Sequence, residues 1–161
     1  MEYEELYKIA VGTRQFEIQM LWQRSNYFLI FQTALVVALA AAKQDRWISA
    51  LVSLLGIATA LVWCLVNAGS KYWQVRWEAA AERLERQIAP DVRLFAATPR
   101  EVHDEVRRSI NASGHTRFLS FVDRLILRKY SVSLMMMILS MGSVVVWTGL
   151  LLRFLIKRTL T

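Results

Sequence analysis

Cysteine is almost missing from this sequence, and the single one, Cys64, lies inside an apolar run. That excludes a disulfide framework and a CxxC metal site. Histidine occurs only at His103 and His115, and proline only at Pro90 and Pro99. No Pro/Gly/Ser-rich linker and no internal repeat divides the chain. The opening, MEYEELYKIA, is acidic and has neither the basic n-region nor the cleavage site of a signal peptide. P-loop, paired-carboxylate and nucleophile motifs are also missing, so no catalytic residue and no cofactor is expected. The most informative absence is of charge. Asp, Glu, Lys, Arg and His are lacking throughout 27–42, 48–67 and 131–152. Polytopic proteins that relay protons or couple ions carry ionisable groups inside their spans, and the lack of them weighs against that class.

What is present is apolar. Hydrophobic residues make up 55% of 161, against about 45–50% in an ordinary soluble domain. The mean hydropathy is +0.31. The excess is collected in the three uncharged runs, which is the pattern of membrane-spanning helices. The run Tyr27 to Ala42 covers about 24 Å at helical rise and needs to reach back through Leu21 and Trp22 to cross a core of about 30 Å. Ile48 to Asn67 and Ser131 to Leu152 are long enough as they stand. Only Lys43, Gln44, Asp45 and Arg46 separate the first two runs, which predicts a tight antiparallel hairpin.

Net charge is +7, and most of the basic residues flank the apolar runs. Twelve of the twenty Lys and Arg fall between the second and third spans, three before the first, two in the hairpin turn and three after Leu152. By the positive-inside rule the N-terminus and the middle stretch are cytoplasmic, with the tail of Arg153, Lys157 and Arg158 dissenting. Aromatic residues suit that orientation: Tyr27, Tyr72, Trp73 and Tyr130 mark the inner boundary with Arg128 and Lys129, and Trp47 the outer one. The expected localisation is a membrane, multi-pass with the N-terminus cytoplasmic, and nucleic acid is not the expected partner of the basic charge.

Outside the spans the pattern is helical. Tyr3, Leu6, Ala10, Phe16, Met20 and Leu21 give residues 1–26 an amphipathic helix. Trp73, Trp77, Ala81, Leu84 and Ile88 form a stripe on a helix continuing the second span, with Glu78, Glu82, Arg83, Glu85 and Arg86 on its other faces, and Pro90 limits it. Thr98-Pro99-Arg100-Glu101 has the form of a capping box opening a helix through Val102, Val106 and Ile110, closed near Gly114. Residues 116–129 read as an interfacial helix. The organisation is therefore an N-terminal helix at 1–26, a transmembrane hairpin at 27–67, a cytosolic helical domain at 68–130, a third span at 131–152 and a basic tail at 153–161. The fold class is all-α, a polytopic membrane protein with three transmembrane helices and a small cytosolic bundle.

Small residues recur every fourth position, at Ala34, Ala38 and Ala42 in the first span and at Gly56, Ala60, Cys64 and Ala68 in and just beyond the second. Such ladders let helices approach closely in lipid, within one chain or between chains. Gly142 and Gly149 repeat the signal weakly. Gln32, beside Thr33, is a buried amide in hydrocarbon that must either bond another helix or face a wet axis. Met137 and Met141 match the MxxxM spacing of copper permeases, but without a His- or Met-rich terminal segment they read as packing. Arg108 and His115 form R-x6-H, which resembles the active motif of HEPN ribonucleases; no other phosphate-handling residue accompanies it.

The run from Tyr7-Lys8 through Trp22-Gln23-Arg24-Ser25-Asn26-Tyr27-Phe28-Leu29 and Phe31-Gln32-Thr33-Ala34-Leu35 resembles the start of RipA-like octameric bacterial membrane proteins. That family's first span carries an NTALL-like motif, with Gln32 here in place of the Asn. Leu55-Gly56, Leu61-Val62-Trp63, Tyr72-Trp73, Arg76-Trp77 and Leu84-Glu85 extend the resemblance to about residue 88. A related architecture is the membrane accessory protein of type VI-B CRISPR systems, an octameric pore. The resemblance implies a bacterial inner-membrane homo-oligomer, octameric and pore- or channel-like, used in stress or phage defence. The residues alone also admit a non-conducting scaffold that docks a cytosolic protein or anionic lipid through its basic face, and a membrane-anchored HEPN-like ribonuclease.

Overall fold

The computed structural model describes residues 3–42, 45–112, 126–128 and 131–156. Among them no strand is found, and the helices are α1 (Tyr3–Ala41), α2 (Arg46–Ile88), α3 (Pro99–Ala112) and α4 (Val132–Ile156), with residues 126–127 helical as well. The helices α1, α2 and α4 are long and apolar enough to cross a membrane. The all-α class and its three spans are therefore what the chain adopts.

Local chemistry sets the helix ends. Asp45 accepts the Ile48 amide at 3.1 Å as an N-cap for α2. Pro90 lies two residues beyond Ile88, where it removes an amide that another turn would need. The capping box of α3 forms as spelled: the Thr98 amide donates to Glu101 Oε2 (2.7 Å), and the Glu101 amide donates to Thr98 Oγ1 (3.3 Å). At 39 residues α1 extends over about 58 Å, and at 43 residues α2 over about 64 Å, each roughly twice the hydrocarbon thickness. α1 runs unbroken through Asn26 and Tyr27, so the division between N-terminal helix and first span is one of hydropathy and not of backbone.

The chain forms two compact units, residues 1–15 with 75–131 and residues 16–74 with 132–161. In the first, Ala10 of α1 and Ala81 of α2 are both buried. Arg14 donates from Nε (3.1 Å) and Nη2 (2.9 Å) to Glu78 Oε1, and its guanidinium lies 5.5 Å from the centre of the Phe95 ring. Tyr7 meets the same ring edge-on at 6.2 Å. The segment after α2 is fastened by Glu85, only 3% exposed, which accepts the amides of Leu94 (3.0 Å), Phe95 (2.8 Å) and Ala96 (2.8 Å). Sequence pattern placed Glu85 off the apolar stripe of α2, and the structure buries it because a folded-back loop supplies three donors.

In the second unit the usual partition is inverted. Nine buried side chains are polar (Ser25, Gln32, Ser49, Ser53, Asn67, Ser70, Gln74, Ser133 and Ser140), against five buried apolar ones, while Leu, Val, Ile and Met dominate the exposed surface. A soluble domain does the reverse. Polar groups turned inward and apolar ones outward satisfy a helix set whose surroundings offer no hydrogen bonds.

Candidate functional site

The buried polar residues lie in register. On α2 the inward positions are Ser49, Ser53, Gly56, Ala60, Trp63, Asn67, Ser70 and Gln74, spaced alternately by four and three. On α4 they are Ser133, Ser140 and Trp147, each seven apart. That 3.5-residue period keeps one seam facing its partners along left-handed helix packing. Most of the seam is small or polar, which lets the backbones approach and leaves hydrogen-bonding groups between them.

Three helices are tied at one level. Gln32 of α1, 8% exposed, donates from Nε2 to Thr59 Oγ1 (3.1 Å) and to the Gly56 carbonyl (3.4 Å) of α2. Trp147 of α4 donates its indole N–H to Gln32 Oε1 at 2.5 Å. Both ends of the amide are thereby used. A Cβ on Gly56 would fall inside the Trp147 indole, so glycine is what makes room for the ring. Seven residues before Gln32, and seven and eleven residues after Gly56, the chain repeats the device in another form. At Ser25, the fully buried Trp63 donates to Oγ at 3.3 Å, the hydroxyl donates on to Asn67 Oδ1 at 3.3 Å, and Phe28 stacks on the Trp63 indole at 6.1 Å. Beyond that, Arg24 Nη1 donates to Ser70 Oγ (3.2 Å) and Ser133 Oγ to Gln74 Oε1 (3.1 Å). Asn67 Nδ2 and Gln74 Nε2 are buried without a partner.

The other candidate residues are dispersed. Thr33 is exposed and its hydroxyl returns to the Leu29 carbonyl at 2.9 Å. Of the two ladders, Gly56 and Ala60 are buried on the seam, Cys64 and Ala42 are half-buried, and Ala34, Ala38 and Ala68 are exposed. Trp47 is 83% exposed, and Tyr72 and Trp73, also exposed, meet edge-on at 5.7 Å. Arg128 is exposed, whereas Lys129 and Tyr130 lie outside the described residues. Arg108 is exposed on α3 and donates to the Asp104 carbonyl (3.3 Å), and His115 lies outside the described residues. Sequence reasoning found Gln32, Gly56 and Ala60 but missed Trp63, Asn67, Ser70, Gln74, Ser133, Ser140 and Trp147. The signal was available as a seven-residue recurrence of Ser, Asn, Gln and Trp.

A family model described as the octameric membrane protein family (8xMP) matches residues 4–156. No curated protein and no solved structure matches the chain, so the RipA-like and CRISPR-accessory likenesses rest on the motifs alone.

Proposed function

This chain belongs to the octameric membrane protein family, and we propose that it works as a homo-oligomeric, pore-like assembly of eight copies whose membrane wall is apolar. The observation that supports this reading is the inward turn of polar groups in the second unit. Among the described residues exposed within 27–42, 48–67 and 131–152, Thr33 is the only hydrogen-bonding side chain apart from Tyr27, and it is bonded to its own helix. Subunits thus meet one another, and line any central axis, through Leu, Val, Ile, Ala, Phe and Met. A closed ring encloses an axis, and an axis with such walls stays non-conducting until it wets. Gln32, bonded to two other helices, acts as a tie between spans and not as a wetted lining. The N-terminus and residues 70–130 are cytoplasmic in the inner membrane, by the twelve Lys and Arg of the middle stretch.

A serine scan along the exposed positions of α1 and α4, read by liposome ion flux and native mass spectrometry, tests the pore. Wild type should leak little, and serine at wall positions should open a standing leak in an intact oligomer. An intact ring without flux at every position would sink the pore and leave a non-conducting scaffold.

A further inference from the structure

We propose that the cavity bounded by Glu17, Arg24, Val66, Gly69, Ser70 and Trp73 is a site for the headgroup of an aminophospholipid, one carrying a phosphate and a primary ammonium. The cavity has a volume of about 310 Å³, at the lower end of the roughly 300–1,000 Å³ of small-ligand sites. It lies wholly within the second unit. The inference rests on the reading of α1 and α2 as membrane spans.

Two complementary charges line it. Arg24 gives one of its five N–H donors to Ser70 Oγ and has others to offer a phosphate. Glu17 presents the opposite need: its Oε2 is buried and has no hydrogen-bond partner. A carboxylate oxygen so placed is costly unless a donor reaches it. Neither side chain forms an ion pair among the described residues, although both line one cavity. Gly69 leaves the floor open, since a Cβ there would meet nothing within 4 Å.

Depth orders these groups as a lipid would need them. Ser70 lies three residues beyond Asn67, about 4.5 Å outside the second run, and holds the Arg24 guanidinium at that level, while Glu17 lies four residues before Leu21, about 6 Å outside the first span. The headgroup layer of each leaflet is about 5–7 Å thick. Arg24 and Ser70 therefore stand near phosphate depth, and Glu17 approaches from the aqueous side, where the ammonium of an ethanolamine group extends. Val66 closes the apolar end, where acyl chains depart, and the indole of Trp73 suits the interface. Choline carries no N–H for Glu17 Oε2, and glycerol carries no positive charge, so ethanolamine is the headgroup that answers both ends.

The test is native mass spectrometry of the whole oligomer released from vesicles containing equal parts of phosphatidylethanolamine, phosphatidylcholine and phosphatidylglycerol. Retained lipid should be phosphatidylethanolamine, preferred by about tenfold. Glu17→Gln should erase the preference over phosphatidylcholine while the oligomer persists. Gly69→Leu, filling the floor, should abolish retention of all three. Millimolar phosphoethanolamine in solution should not displace the lipid, because the acyl chains supply most of its hold. Equal retention of the three lipids by wild type, an unchanged preference in Glu17→Gln, or displacement by the soluble headgroup would each overturn the site. Failure of wild type to float with vesicles would instead overturn the membrane reading.

Discussion

Gly56 and Trp147 depend on each other, and Gln32 on both. Adding one methyl group at Gly56 puts carbon inside the indole, so Trp147 must move and release Gln32 Oε1. Gly56→Ala should destabilise the three-span unit by about 1–3 kcal/mol, the usual cost of overpacking. Trp147→Phe keeps most of the ring but leaves Gln32 with an unanswered oxygen, at a cost of about 0.6–2 kcal/mol for a hydrogen bond between spans. Unfolding in bicelles measures both, and an unaffected Gly56→Ala would refute the packing described. Glu85 belongs at the same scale in the other unit. Glu85→Gln keeps one acceptor oxygen and turns an NH2 group toward amide donors. It should cost about 1.5–3 kcal/mol, as loss of hydrogen bonds to a charged group does, and speed hydrogen exchange at Leu94, Phe95 and Ala96.

Among the elements, α3 has a pH dependence that its cap dictates. Hydrogen bonds from the Thr98 backbone and side chain, with Arg93 nearby, hold the Glu101 carboxyl below the usual carboxylate range. A carboxylate depressed in the folded state stabilises above its unfolded pKa, and that contribution disappears as pH falls through the folded value. The first turn of α3 should therefore fray on acidification below the ordinary carboxylate range, seen as loss of amide protection at Thr98, whose N–H the carboxylate accepts, and Glu101→Gln should remove the dependence. Much at this scale was legible beforehand. Charge-free runs of sixteen or more residues gave the spans, Thr98 to Glu101 gave the cap, and Pro90 gave the end of α2. Hydropathy counts composition along a helix, and capping is local to four residues, so neither needs a partner to be known. The inward face does need one. Ala34 and Ala38 share the spacing of Gly56 and Ala60 yet lie exposed, because which face of α1 turns inward is decided by Ser25, Gln32 and the indoles they meet. Glu85 escaped notice for the same reason, its donors lying nine to eleven residues away on a loop.

For the whole molecule, the exposed Ala34 and Ala38 are the part of the ladder that a second copy could meet. Ala38→Leu meets nothing within its own chain's seam, so it should leave unfolding of the subunit unchanged while lowering the proportion of octamer in native mass spectrometry. Equal loss of subunit stability and assembly would show that Ala38 packs inside the chain after all. Orientation is tested separately, by single-cysteine labelling in a Cys64→Ala background: Gln44→Cys should react from the periplasmic side, and rapid reaction from the cytosol would reverse the topology. The tie between Gln32 and Trp147 also sets a schedule for biosynthesis. The partners are 115 residues apart, and a ribosome adding about 5–20 residues per second needs roughly 6–23 s to make the second after the first. During that interval the nascent hairpin holds an amide oxygen in lipid with no donor for it, while the groove over Gly56 stands empty. Insertion of the last span is thus the event that completes the hydrogen bonding of the seam.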